Sequence, residues 1–172
     1  KKVRADIKVV LQGDGGDELF AGYRRYQTLS FRPYWSRAAK LARSVHSLLP
    51  ASNTYYIRQR YLNALGADSD AELMALLLTV EDRTLDPHLI FSENIRKRIS
   101  TVDPFKAFRE CNDRFADKDI VQRMLFTDTQ IILPDIFLEK VDRATMANSI
   151  EVRVPFLDNE LVEYVMALPS SM

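Results

Sequence analysis

Only one stretch of this 172-residue chain reads as a β-strand, and it limits what the chain can fold into. Ile7-Lys-Val-Val-Leu11 is short, apolar and β-branched, and it runs into Gln12-Gly-Asp-Gly-Gly-Asp-Glu18. A lone strand cannot satisfy its own backbone groups, and a mostly apolar one suits a central parallel strand covered on both faces. No partner for it is legible in the rest of the sequence. The simplest expectation is therefore a piece of a longer protein. The start on Lys1 and the stop after Leu168-Pro-Ser-Ser-Met172 point the same way. Pairing with the edge of a second copy, as a homodimer, is another way to satisfy the strand.

Beyond Leu11 the helical period takes over. Asp17 is read as an N-cap, with Leu19, Phe20, Tyr23 and Tyr26 following on one side. Tyr34–Leu49 is expected as a helix, with Trp35, Ala38, Ala42, Val45 and Leu49 on its apolar face and Pro50 as its end. Thr54–Leu65 stops at Gly66. Asp70–Val80, Ser92–Ile99, Pro104–Phe115 and Asp119–Leu133 follow as helices. Pro134 interrupts and, as a first-turn residue, starts Asp135–Asn148. After an extended Glu151–Phe156, Asp158 caps a last helix with Leu161, Val162, Val165 and Leu168 inward, and Pro169 stops it. Loops fall near 50–54, 66–70, 82–88 and 100–104. There is no repeat, low-complexity tract or long linker.

Composition narrows the class. With 47% hydrophobic and 28% charged residues the chain is globular. It has no apolar run near the roughly 18–20 residues that span a bilayer, and its start lacks the apolar core of a signal peptide. The single Cys111 excludes an internal disulfide framework and suits a reducing cytoplasm. Cys111 itself is read as packing. Net charge is zero but uneven: no acid lies between Leu19 and Ala67, where Arg24, Arg25, Arg32, Arg37, Lys40, Arg43, Arg58 and Arg60 all fall. Such a stretch can face an anionic partner. The reading preferred here is that acids from residues 68–172 neutralise it, since no base-reading motif accompanies it.

Two stretches carry chemistry. Val9–Tyr23 holds four of the five glycines together with Asp14, Asp17 and Glu18. Strand, glycine turn and helix start make an anion site, because backbone N–H groups point outward and the helix dipole adds partial positive charge. The carboxylates would repel a bare phosphate, but they fit one shared with a divalent cation such as Mg²⁺. The competing reading is a plain turn with an aspartate cap. The second stretch is Leu133–Asp158. Ile136, Phe137, Val141 and Ala144 give it one apolar face, and Lys140 and Arg143 lie on another. Its competing reading is an amphipathic helix with solvated charges, plus a structural pair between Glu151 and Arg153.

Taken together and in this order, the two stretches resemble the synthetase domain of the glutamine-hydrolysing asparagine synthetases. That family typically carries S-G-D/E-G-x-D-E-x-F-x-G-Y after a strand and later L-P-D-x-x-L-x-K-x-D-R-x-S/T-M-A-x-S-x-E-x-R-x-P-F-L-D. Phe91-Ser-Glu-Asn-Ile95 resembles a weaker shared element. The resemblance implies a mostly helical fragment over 1–172, whose strand belongs to the parallel sheet of an α/β adenine-nucleotide α-hydrolase-like domain. It implies ATP-dependent amidation of aspartate through a β-aspartyl-adenylate, with ammonia from glutamine and Mg²⁺ on the phosphates. By similarity Asp17 holds the metal and Asp14 serves the adenylate step. Gly13, Gly15 and Gly16 shape the loop against nucleotide and substrate, and Lys140 stabilises charge on the phosphates. Asp142, Arg143, Glu151, Arg153 and Asp158 are expected to be structural, holding Lys140 in place.

Three departures qualify the resemblance. Gln12 stands where serine is usual. The upstream S-G-G-x-D-S loop and the glutaminase domain are absent from these residues, so the fragment alone is expected to be inactive. The related β-lactam synthetases carry tyrosine at the position of Asp14, so Asp14 favours the asparagine branch. A ligase acting on another carboxylate, and a basic nucleic-acid-binding module, are the alternative readings.

Overall fold

A computed structural model describes residues 7–46, 53–78, 91–103 and 105–170. The described residues divide into two compact units, one made of those up to Ser30 and from Asp113 onward, the other of Phe31–Asn112.

The first unit begins with β1 (Val9–Leu11), followed by the four-residue α1 (Gly16–Leu19) and by α2 (Arg24–Ser30). Its later part contributes α8 (Ile120–Thr127), a π-helical segment (Asp128–Leu138), α9 (Glu139–Met146), β2 (Glu151–Arg153), a 3₁₀ turn (Pro155–Leu157) and α10 (Asn159–Ala167). Leu19, Tyr26, Leu29, Met124 and Leu133 form its buried core, and Glu18, Thr127 and Asp128 are buried with them.

The strand has a partner after all. β2 pairs with β1 in parallel, with Val9 opposite Glu151 and Leu11 opposite Arg153. Glu151 N–H donates to the Lys8 carbonyl at 2.8 Å, and Gln12 N–H donates to the Arg153 carbonyl at 2.9 Å. The extended stretch read from the sequence is thus the second half of a two-stranded sheet. Among the described residues nothing covers both faces of β1. Ile7, Val9 and Leu11 are exposed, Leu11 by 73%.

Asp17 is not the N-cap of α1. Gly15 takes that position in the left-handed region (φ 89°), and Asp17 lies in the first turn. Asp119 and Asp158 do cap as read: Asp119 Oδ1 accepts from Val121 and Gln122 N–H, and Asp158 Oδ1 from Glu160 and Leu161 N–H. Leu168 is extended before Pro169, as the stop at that proline requires.

Pro134 does not start a helix. The chain stays helical from Ile120 to Met146, with Pro134 inside the π segment. Proline in an α-helix loses one hydrogen bond and strikes the carbonyl four residues back. Here the Glu139 N–H bonds to the Pro134 carbonyl, five residues back, and the wider winding gives the proline ring room against the preceding turn, although its missing N–H stays missing. It also changes which side chains face inward. Leu133 is buried and Phe137 and Val141 are half-buried, whereas Ile136 and Ala144, expected on the same face, are exposed.

The second unit holds α3 (Arg32–His46), α4 (Asn53–Leu65), α5 (Asp70–Leu78), α6 (Glu93–Ile99) and most of α7 (Lys106–Arg114). α3 packs on α4, and α4 on α5. α5 is apolar on nearly every side, as a helix at the centre of a core must be, and it buries Ala71, Leu73, Met74, Ala75 and Leu77. Among the described side chains of α3, Ala39 is buried, while Ala38 and Ala42 are exposed. Gly66 ends α4 as read, its N–H bonding to the Leu62 carbonyl at 3.0 Å. Cys111 is buried, in keeping with packing. The expected helix residues 47–49 and 79–80, Pro104, the side chains of Trp35 and Val45, and the loop at 82–88 lie outside the described residues.

Three of the eight basic residues in the acid-free stretch pair with acids from later in the chain. Arg25 pairs with Asp128 in the first unit, and Arg32 with Asp70 and Lys40 with Asp68 in the second.

Candidate active site

The glycine-rich turn leaves β1 at Leu11 and is shaped by what it packs against. Gly15 is buried at positive φ, and a Cβ there would overlap Leu157 Cδ2. Only glycine meets both conditions. Gly16 lies against the Phe156 ring at ordinary contact distance, and Phe20 meets the same ring edge-on, with centroids 6.1 Å apart. Gly13 is exposed, with open space where a Cβ would project. The tail of the second motif (Glu151–Leu157) therefore walls the first, although the two lie at opposite ends of the sequence. Strand pairing and this packing bring them together.

Asp14 is half-buried and Asp17 exposed. The Gln12 side-chain amide donates to Asp14 Oδ2 at 2.7 Å, so the residue standing in place of the usual serine engages this carboxylate directly. Asp17 bends over Gly22: a Cβ on Gly22 would overlap Asp17 Oδ1, and Gly22 N–H bonds to the Asp17 carbonyl at 3.0 Å. Gly22, the fourth glycine of the Val9–Tyr23 stretch, thus packs directly on Asp17. Because α1 has only four residues, its dipole is small, and the anion-binding argument rests on the turn itself.

Among the described residues no group of three or more His, Cys, Asp or Glu could cage a metal. Mg²⁺ bound with nucleotides usually takes one or two protein carboxylates, with phosphates and water completing its shell. An exposed Asp17 in the glycine-rich turn fits that donor set.

Lys140 projects from α9 into solvent, its ammonium 5.4 Å from the Phe137 ring centroid. The neighbouring charges pair locally, Arg143 with Glu139 at 2.5 Å and Arg153 with Glu151 at 2.7 Å. Asp142 is exposed and Asp158 caps α10. Neither of these pairs nor the Asp158 cap includes Lys140, so they do not supply the expected hold on it.

Behind the turn lies a buried polar cluster that sequence reading missed. Glu18 accepts from the Tyr23 hydroxyl at 2.6 Å. Tyr23 stacks near Tyr26, and the Arg25 guanidinium lies 3.9 Å over the Tyr23 ring. Arg25 and the Tyr26 hydroxyl converge on one oxygen of Asp128, with Arg25 Nη2 at 2.7 Å and Nε at 3.2 Å. Asp128 is fully buried. Burial raises its pKa above the usual carboxylate value, opposed by Arg25 and by the Tyr26 hydrogen bond. Burial, reinforced by the neighbouring carboxylates, pushes both tyrosines upward as well. The signal available in the sequence was an acid four residues after Met124, on the face that carries the core.

Beside α1, a cleft of about 390 Å³ is lined by Leu19, Phe20, Val121, Leu125 and Val165. It is apolar, includes no predicted site residue and does not suit a polyphosphate.

The family model described as asparagine synthase matches residues 1–172. The chain belongs to the asparagine synthase family. It is 26% identical over 181 residues to "Asparagine synthetase (glutamine-hydrolyzing) 1" of Bacillus subtilis, covering 100% of this chain and 26% of that protein. It is 33% identical over 179 residues to "Putative asparagine synthetase (glutamine-hydrolyzing)" of Mycobacterium tuberculosis H37Rv, covering 99% of this chain and 25% of that protein. The chain thus spans about a quarter of the length of these relatives. No solved structure matches it. Among the described residues, no helix is long and apolar enough to cross a membrane.

Proposed function

We propose that this chain is part of an ATP-dependent carbon–nitrogen ligase that converts aspartate to asparagine. In this reading the aspartate side-chain carboxylate attacks the α-phosphate of ATP. A β-aspartyl-adenylate forms, pyrophosphate leaves, and ammonia derived from glutamine then displaces AMP. The observation that carries the reading is the juxtaposition of the two family motifs, with Glu151–Leu157 forming the wall against which Gly15 and Gly16 turn.

The difficulty in such a reaction is charge, since an anionic carboxylate must approach an anionic phosphate. Asp17 is the residue that would hold Mg²⁺, which when bound offsets charge on the phosphates. Asp14, oriented by Gln12, takes part in the adenylate step. The close turn at Gly15 and Gly16 and the open space at Gly13 admit the nucleotide backbone-first. Lys140 supplies a mobile point charge suited to oxygens that move during the reaction. The 172-residue fragment alone is inactive in this reading, and the enzyme is cytoplasmic. A homodimer is one way to occupy the edge of β1 that is unpaired among the described residues, and a strictly monomeric mass by light scattering would remove that idea.

One observation favours a second substrate. The Gln12 amide occupies an oxygen of Asp14, which a serine hydroxyl would engage differently, so a carboxylate other than aspartate remains the alternative. A nucleic-acid-binding role is disfavoured by the acids paired with Arg25, Arg32 and Lys40.

The test is pyrophosphate release by the full-length protein given ATP, Mg²⁺, aspartate and ammonia, with Asp17→Ala, Lys140→Ala and this fragment alongside. Aspartate-dependent release that both substitutions abolish is the expected result. Release with another carboxylic acid only would change the product and keep the site. Unchanged release in both variants would overturn the site.

A further inference from the structure

The Asp128 cluster has a form that stability alone does not explain. A buried ion pair is often no better for stability than well-packed apolar side chains, because both charges lose their hydration. Here one oxygen of Asp128 takes donors from Arg25 and Tyr26. The other, Oδ1, is buried and has no hydrogen-bond partner among the described residues. What so lopsided an arrangement provides is a fixed position. Several donors from one short helix converge on one oxygen and hold the first residue of the π segment in a single place.

The two ends of this contact lead to the two proposed halves of the site. On one side, Arg25 and Tyr26 belong to α2, and Tyr23 just before it grips Glu18, the neighbour of Asp17. On the other, Asp128 opens the π segment, which continues without a break into α9 and Lys140. A continuous helix carries a fixed starting point forward to the residues it presents.

We propose that Asp128 is a positioning residue, which ties the glycine-rich turn to the helix bearing Lys140 so that Asp17 and Lys140 act on one nucleotide. This rests on the functional reading above. Arg25 and Tyr26 are its clamps, and Glu18 with Tyr23 extends the link to the turn. None of the five touches the substrate in this account.

Two variants of the full-length protein test it. Asp128→Asn keeps the shape and one acceptor oxygen, and Tyr26→Phe removes a single donor, so a folded variant is available even if the first fails to fold. The expected result is a kcat for aspartate-dependent pyrophosphate release that falls by roughly 10–100-fold per folded molecule, with KM for ATP nearly unchanged. Amide hydrogen exchange in the same variants should speed up at both 17–22 and 139–146. Unchanged kcat, a change in KM alone, or faster exchange confined to 24–30 would overturn the proposal. If the unsubstituted protein releases no pyrophosphate with aspartate, the functional reading fails and exchange decides alone. Acceleration reaching both segments would then keep the link, and confinement to α2 would remove it.

Discussion

Two arginine–carboxylate pairs in the first unit have nearly the same separation and very different surroundings. Arg25 reaches Asp128 at 2.7 Å with side chains 17% and 0% exposed, whereas Arg153 reaches Glu151 at 2.7 Å with both more than half exposed. At the surface, water screens the attraction and the side chains lose entropy by meeting. In the interior, either partner left alone is an uncompensated buried charge. Contact distance therefore says little about what a pair does, and burial decides.

The largest expected effect comes from breaking the buried pair from one side. Asp128→Ala leaves Arg25 facing an apolar gap and should cost about 3–5 kcal/mol of unfolding free energy. Urea unfolding followed by hydrogen exchange at α2 and α8 measures it, since the only tryptophan, Trp35, reports on the other unit. A cost below that of an ordinary surface substitution would erase the contrast between the pairs.

The same cluster makes stability depend on pH in two windows. Asp128 has a raised folded pKa, so its contribution is complete below the usual carboxylate value near 3.8 and is lost as pH climbs through the folded value. Tyr23 and Tyr26 are also raised. Their contribution is complete below pH 10 and lost above it, where unfolded tyrosines ionise while folded ones keep their protons. Tyr26→Phe should flatten the alkaline decline in a pH series of unfolding midpoints, and Glu151→Gln should leave it as it was.

Gly15→Ala comes next. A side chain at positive φ costs roughly 1–2 kcal/mol, and the overlap with Leu157 adds to that. Gly16→Ala, in ordinary contact only, should cost clearly less in the same unfolding assay. Removing the Asp119 cap with Asp119→Ala should cost about 1 kcal/mol, read as faster exchange at Val121 and Gln122. At the small end, Glu151→Gln should leave the unfolding midpoint unmoved at physiological salt. A measurable loss there would mean that the exposed pair supports the β1–β2 ladder.

Much of the helical framework was legible because its signals are local. Asp119, Asp158 and Gly66 sit where caps and stops must, and the apolar spacing of 70–78 announces a buried helix. The two motifs were legible as well, since their residue types and order carry the family resemblance. What stayed hidden depended on distance along the chain or on unusual winding. β2 is only three residues long, and nothing in Glu151-Val-Arg153 names β1 as its partner. Pro134 carries the ordinary signal of a helix start, and only the five-residue hydrogen-bond spacing overrides it. Asp128 sits among Thr127, Thr129 and Gln130, and only its place four residues after Met124 hints that it faces the core. Its burial follows from Arg25 and Tyr26, more than a hundred residues away.

The wide winding around Pro134 separates two quantities that an α-helix locks together, the length of the chain and the direction in which later side chains point. Losing one residue within α8 would turn Lys140 about the helix axis by roughly 100°. Losing one between Asp128 and Leu138 can be absorbed by tightening that segment toward α geometry, with Lys140 still pointing the same way. Length differences among homologues in this block are therefore expected to collect between Asp128 and Leu133, ahead of the fixed L-P-D-x-x-L-x-K spacing, where drift in chain length leaves the reach of the lysine untouched.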